Sequence, residues 1–144
     1  LLPICEAAAD AVRHKLRPDV RLSVEAPKGD HIILTDRHRL IQILSNLLSN
    51  AAKFTQEGEI TLRLDTSADG RQVVISVTDT GCGIDPHNSE VIFERFTKID
   101  RSVPGAGIGL TIARMLAEML GGALILDTAY TDGARFILTL PNKA

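Results

Sequence analysis

The sequence predicts an α+β fold: a two-layer α/β sandwich with three helices on one face of a mixed β-sheet. Two patterns carry that prediction. Three segments, at the start of the chain, around residue 45 and around residue 114, each place their apolar residues on a single helical face. Between them run short stretches in which apolar and polar residues alternate, as strands with one buried face do. At 144 residues and 44% hydrophobic, with no repeat, linker or low-complexity segment, the chain has material for one sizeable core and is expected to form one domain, residues 1–144.

The chain starts inside an apolar-periodic stretch: Leu1, Ile4, Ala8, Ala11, Val12 and Leu16 mark one face of a first helix, which Pro18 ends. Val20, Leu22 and Val24 then alternate as a strand, and HIILT (31–35) reads as a short second one. The next helix is expected to be capped by Thr35 or Asp36. EITLRLD (59–65) and QVVISVTD (72–79) alternate cleanly, and the Asp69-Gly70 pair between them signals a hairpin. Residues 80–106 are irregular apart from a short helical stretch near Ser89 to Phe93. A last helix runs from about Ile108 to Leu120 and stops at Gly121-Gly122, since glycine takes the positive φ that often ends a helix. ALILD (123–127) and ARFILTL (134–140) form a closing hairpin.

The charge balance excludes several functions. A net charge of -2 and the lack of any Lys/Arg cluster argue against a nucleic-acid surface or a polybasic membrane patch. Cys5 and Cys82 form no CxxC pattern and His14, His31, His38 and His87 are scattered, so neither a disulfide framework nor a zinc site is indicated. A reducing, cytoplasmic setting is the default. No apolar run approaches the eighteen or so residues of a membrane span; any anchor of a larger parent would lie outside this chain.

The chemistry begins in NLLSNAAKFT (46–55). At about 100° per residue, Leu40, Ile41, Ile43, Leu44, Leu47, Leu48, Ala51 and Phe54 fall within an arc of roughly 160°, which is the core face. Gln42, Asn46, Asn50 and Lys53 share a separate arc of roughly 80°, with Asn50 at its border with the core. A polar stripe is ordinarily solvated surface. Asparagine, however, prefers caps and turns, so two of them mid-helix give up local stability without local benefit. Amide oxygens suit a hard cation such as Mg²⁺, which takes its other ligands from water and phosphate, and Lys53 could meet a phosphate as a point charge.

Two glycine-rich stretches extend the idea. VTDTGCGI (77–84) ends a strand with Asp79 directly before Gly81 and Gly83, where a carboxylate can accept from an exocyclic amine and bare backbone can approach a flat ring. An ordinary tight turn is the plain alternative. Asp-Thr-Gly also occurs in aspartic proteases, but those need a second such loop, and the other Asp-Thr here, Asp127-Thr128, is followed by Ala129. In GAGIGLTIARMLAEMLGG (105–122), Gly105, Gly107 and Gly109 precede a helix, whose free N–H groups and dipole favour an anion. The spacing fits neither GxxxxGK[ST] nor GxGxxG after a strand.

Taken in order, these stretches resemble the catalytic, ATP-binding domain of sensor histidine kinases, within the GHKL (Bergerat-fold) ATPases that also include gyrase, the mismatch-repair ATPase and the heat-shock chaperone ATPases. NLLSNAAKFT is similar to the N box, DTGCGI to the G1 box, FERF (93–96) to the F box, GAGIGL to the G2 box, and DGARFILTLP (132–141) to the closing G-x-x-F strand. The resemblance implies ATP and Mg²⁺ as cofactors. It makes Asn50 the main metal ligand with Asn46 assisting, Lys53 a phosphate contact and Phe54 a neighbour of the adenine. Asp79 would accept from the adenine amine, Gly81, Gly83 and Ile84 would border the base, and Gly105, Gly107, Gly109 and Leu110 would line the phosphate side. Residues 97–104 would be the ATP lid, with Lys98 and Arg101 as γ-phosphate candidates.

In hydrolytic members the place of Asn46 is taken by a glutamate that activates water. A neutral amide cannot take a proton, so the implied activity is protein-histidine kinase rather than rapid hydrolysis. The acceptor histidine would lie on phosphoacceptor and dimerisation helices outside this chain, in a homodimeric two-component sensor kinase that passes its phosphoryl group to a response regulator; the chain alone would be a monomer. Two other readings stay open: a nucleotide-binding signalling module without transfer, and, more remotely, an aspartic-type peptidase.

Overall fold

A proline in the first turn of a helix costs no hydrogen bond, because its N–H would have no partner within the helix. Pro3 takes that place in α1, Leu2–Arg13. In this computed structural model, which describes residues 1–26, 35–55, 57–81 and 109–141, α1 buries Cys5, Ala8, Ala9 and Val12. Most of the face the apolar wheel marks does pack inward, with Ala8 and Val12 buried and Leu1, Ile4 and Leu16 against the core, but Ala11 is exposed while Cys5 and Ala9 are buried. Cys5 joins the core as an apolar residue, its thiol pKa pushed up to about 11 by burial. The helix also stops at Arg13, well before Pro18, where the Arg13 guanidinium donates to the Leu22 carbonyl at 2.7 Å.

The first strand, β1, is Val20–Glu25, with Val20 and Leu22 inward. Asp36 rather than Thr35 caps the central helix α2, Arg37–Phe54, accepting from the N–H groups of His38 and Arg39. Along α2 Leu40, Ile43, Leu44, Leu47, Leu48, Ala51 and Ala52 are buried, close to the predicted arc; Ile41 and Phe54 at its margins are half-buried. Strands β2, Gly58–Thr66, and β3, Gln72–Asp79, form the predicted hairpin. Its turn is closed by the Gly70 N–H on the Ser67 carbonyl, with Gly70 at φ +71°. The last helix is α3, Gly109–Met119, followed by Gly121 at φ +81°, then β4, Ala123–Leu126, and β5, Ala134–Pro141. Of the strand expected at 31–35, residues 31–34 lie outside the described residues, as does the short helix near Ser89 to Phe93.

The sheet order is β1-β2-β3-β5-β4, with β1 and β2 parallel and the other pairs antiparallel. A parallel pair needs a crossover, and α2 lies on it. Alternate residues of every strand, among them Leu62, Ile75, Leu124, Phe136 and Leu138, face α1, α2 and α3, so the three helices cover one side of a mixed sheet as the sequence predicts. Each such side chain contributes about 1.5–3 kcal/mol on full burial. The opposite side of the sheet holds a groove of about 490 Å³ whose charges answer one another: Arg63 lies 3.5 Å from both Glu25 and Asp65, and Arg135 lies 3.6 Å from Asp127. No described helix is long and apolar enough to cross a membrane.

Candidate functional site

A carboxylate at the end of a central strand is normally solvated. Asp79, the last residue of β3, is instead only 2% exposed, between Ile60 of β2 and Ala134 of β5. Its Oδ1 accepts from the N–H groups of Gly81 at 2.9 Å and Ala134 at 3.2 Å. Burial pushes the carboxyl above the usual carboxylate range, and those two donors hold it partway back. Among the described residues its Oδ2 accepts nothing. The side chain is thus fixed by one oxygen and offers the other as an acceptor.

Residues far along the chain hold this geometry. The Tyr130 hydroxyl donates to the Asp79 carbonyl at 3.4 Å, and the Arg135 guanidinium lies over the Tyr130 ring at 4.3 Å. Gly133 is at φ +155°, and a Cβ there would sit 1.9 Å from the Asp79 carbonyl oxygen. Only glycine allows so close an approach. Gly133→Ala is therefore expected to cost roughly 3 kcal/mol or more of stability, from backbone strain and the clash together, read as a fall in the urea midpoint of the free domain. Beyond Asp79 the ladder continues for one residue, with the Thr80 N–H on the Glu59 carbonyl and the Thr80 hydroxyl accepting from the Glu59 N–H.

The polar stripe of α2 runs past this strand end. A Cβ on Gly81 would lie 2.3 Å from the Phe54 carbonyl oxygen, so the residue after Asp79-Thr80 packs directly on the C-terminal end of α2. Eight residues earlier on the same helix, the Asn46 Nδ2 donates to the Gly109 carbonyl at the start of α3, at 3.2 Å. Asn50, between the two contacts, is 8% exposed, and no described hydrogen bond engages its amide. Lys53 is exposed and Phe54 half-buried. α2 therefore joins the end of β3 to the beginning of α3, with Asn46, Asn50 and Lys53 along one side.

The structure thus brings together Asn46, Asn50, Lys53, Phe54, Asp79, Gly81 and Gly109. Leu110 is placed differently from a ligand-lining side chain: it is 5% exposed and belongs to the core, which leaves its backbone N–H as the group a ligand could meet. Gly83, Ile84, the FERF stretch, Lys98, Arg101, Gly105 and Gly107 lie outside the described residues. Sequence reasoning assigned no role to Thr55, Tyr130, Gly133 or Ala134. Gly133 and Ala134 stood within the quoted closing motif and Thr55 within NLLSNAAKFT, but their partners at Asp79 and Gly81 are set by the strand register and the helix end.

The family described as histidine kinase-, DNA gyrase B-, and HSP90-like ATPase matches residues 35–144. The chain belongs to that family. The ATPase-family match extends to sensor kinases in particular. The Escherichia coli (strain K12) sensor protein TorS is 43% identical over 109 residues, which cover 76% of this chain and 12% of TorS. The mycobacterial sensor histidine kinase MprB superposes with a TM-score of 0.84 at 30% identity, over 99% of this chain and 94% of that one. Full-length ShkA, solved in complex with AMPPNP, gives 0.86 at 32% identity, over 99% of this chain and 30% of that one. The fold is that of histidine kinase catalytic domains, and the chain spans a small part of the curated sensor kinases it matches.

Proposed function

We propose that this histidine-kinase ATPase domain binds Mg-ATP along the polar side of α2 and transfers the γ-phosphate to a histidine on the phosphoacceptor helices of the same sensor kinase. One observation carries the reading. α2 touches both the strand end that holds Asp79 and the helix start at Gly109, so a base-reading carboxylate, two amides, a lysine and a helix N-terminus lie around a single helix. The AMPPNP complex of ShkA supports an adenine nucleotide as the ligand.

The residues present fit a hard cation beside Asn50, whose amide no described group engages, with the Asn46 oxygen available because its nitrogen is taken by Gly109. Bound there, Mg²⁺ would neutralise charge on the phosphates. The rest falls to the chain's own groups. Asp79 orients the base, Lys53 meets a phosphate oxygen, and the dipole at the start of α3 favours the anionic end of the nucleotide. Asn46 cannot act as a base, and its Nδ2 serves as a strut to α3. A neutral imidazole nitrogen supplied in trans would attack the γ-phosphorus as the bond to the β–γ bridging oxygen breaks, leaving ADP. In the whole protein, dimerisation helices would bring the acceptor and a response regulator would receive the phosphoryl group.

The test mixes this domain, Mg-ATP and the acceptor helices of its own full-length gene, and assays acid-labile phosphate on the helices together with nucleotide binding by calorimetry. Binding with transfer is the expected result. Binding without transfer, at acceptor concentrations that saturate, would replace the kinase with a signalling module, and no nucleotide binding would remove both readings.

A further inference from the structure

Among the described residues, the Thr55 hydroxyl is the buried side-chain polar atom that finds no hydrogen-bond partner, and the residue is 0% exposed. A valine would fill the same volume with no polar atom to desolvate, so folding alone gives no reason for a hydroxyl here. Its neighbours give one. Thr55 follows Phe54 at the C-terminal end of α2, in extended backbone at φ -108° and ψ 111°, its N–H bonded to the Ala51 carbonyl at 3.0 Å. A Cβ on Gly81 would come 3.1 Å from Thr55 Oγ1. The hydroxyl therefore lies against the glycine whose own N–H holds Asp79 Oδ1.

We infer that Thr55 is a second base-reading residue of the nucleotide site, its hydroxyl donating to a purine ring nitrogen that flanks the amine read by Asp79, directly or through one water. The inference rests on the nucleotide-binding reading above. A hydroxyl both donates and accepts, and in the free domain it does neither. With the base in place it gains the partner that the protein withholds, so its contribution appears in affinity and not in the stability of the free domain. Asp79 alone tests for an amine; a donor beside it also tests for an unprotonated ring nitrogen, and the pair together describes adenine more fully than either group.

Opposite signs separate this role from a structural one. Thr55→Val is expected to melt no lower than wild type without nucleotide, yet to bind Mg-ATP about three- to tenfold more weakly, as the loss of one hydrogen bond predicts. Thr55→Ser, which keeps the hydroxyl, is expected to bind as wild type does. Calorimetry with 1-deaza-ATP and 7-deaza-ATP identifies the atom: wild type should bind one of them as weakly as Thr55→Val binds ATP, and the substitution should not change the affinity for that analogue. The inference is overturned if Thr55→Val keeps wild-type ATP affinity, if it weakens ATP and both analogues by the same factor, or if it lowers the melting temperature of the free domain and Thr55→Ser restores it. A wild-type domain that binds no adenine nucleotide overturns the proposed function, and this inference with it.

Discussion

Asp79→Asn is expected to invert the base preference of the site. With Oδ1 held by the N–H groups of Gly81 and Ala134, an asparagine keeps its carbonyl oxygen toward those donors and must present its NH₂ where Oδ2 stood. Adenine brings an amine to that place, and two donors then face each other. Hypoxanthine brings a carbonyl, which the new NH₂ satisfies. Losing a hydrogen bond to a charged acceptor is worth about 1.5–3 kcal/mol, so ATP should bind roughly ten- to hundredfold more weakly while ITP binds more tightly than it does to wild type. Titration calorimetry with both nucleotides checks this, and an unchanged ATP affinity would remove Asp79 from the base site.

The same substitution has a pH signature. Burial raises the Asp79 carboxyl, so the folded state binds its proton more tightly than the unfolded chain does. The stability this contributes is present below the ordinary carboxylate pKa and is lost as pH rises through the raised folded value. Asparagine never ionises, so the Asp79→Asn domain should be at least as stable as wild type at pH 7 and should lack that part of the acid-side dependence. Wild-type ATP affinity, which needs the ionised acceptor, should decline as pH falls toward the raised value.

The largest effect on transfer is expected from Asn50→Ala. The amide is nearly buried on the polar side of α2 and no described hydrogen bond ties it to the protein, so its removal deprives a cation of an oxygen without breaking a structural contact. Phosphorylation of supplied acceptor helices should fall about a hundredfold, the scale of losing one preorganised electrostatic contact in a transfer site. Nucleotide binding should lose its dependence on Mg²⁺ while the metal-free affinity persists. Stability should change by no more than about 1 kcal/mol, since the truncation adjoins the surface. Transfer at the wild-type rate would show that Asn50 holds no metal.

The elements that sequence patterning located well are those whose burial alternates strictly. QVVISVTD became β3 with the predicted ends, and the leucines of α2 fell on the predicted face, because each such segment packs one side against the core and its periodicity records that side. The face of α1 was read correctly except at its alanines and Cys5. The alanines lie at 7, 8, 9 and 11, round the helix, so the wheel does not decide between Ala9 and Ala11, and packing buries Ala9 and Cys5 while Ala11 stays exposed. The helix end at Arg13 was equally hidden, since what meets it is the Leu22 carbonyl on the next strand.

For the site, the sequence by itself determined the inventory and its order: an amide-lysine stripe on a helix, an acid before two glycines at a strand end, glycines before a helix, and from these the family. Tertiary structure decided how those groups are used. Asn46 commits its nitrogen to Gly109, Gly133 is needed because Asp79 passes against it, and Thr55 faces Gly81 without a partner. Each of these facts joins residues separated by dozens of positions. Periodicity states whether a side chain points inward, but the partner it finds there is fixed by strand register and helix crossing, which exist only once the layers have packed.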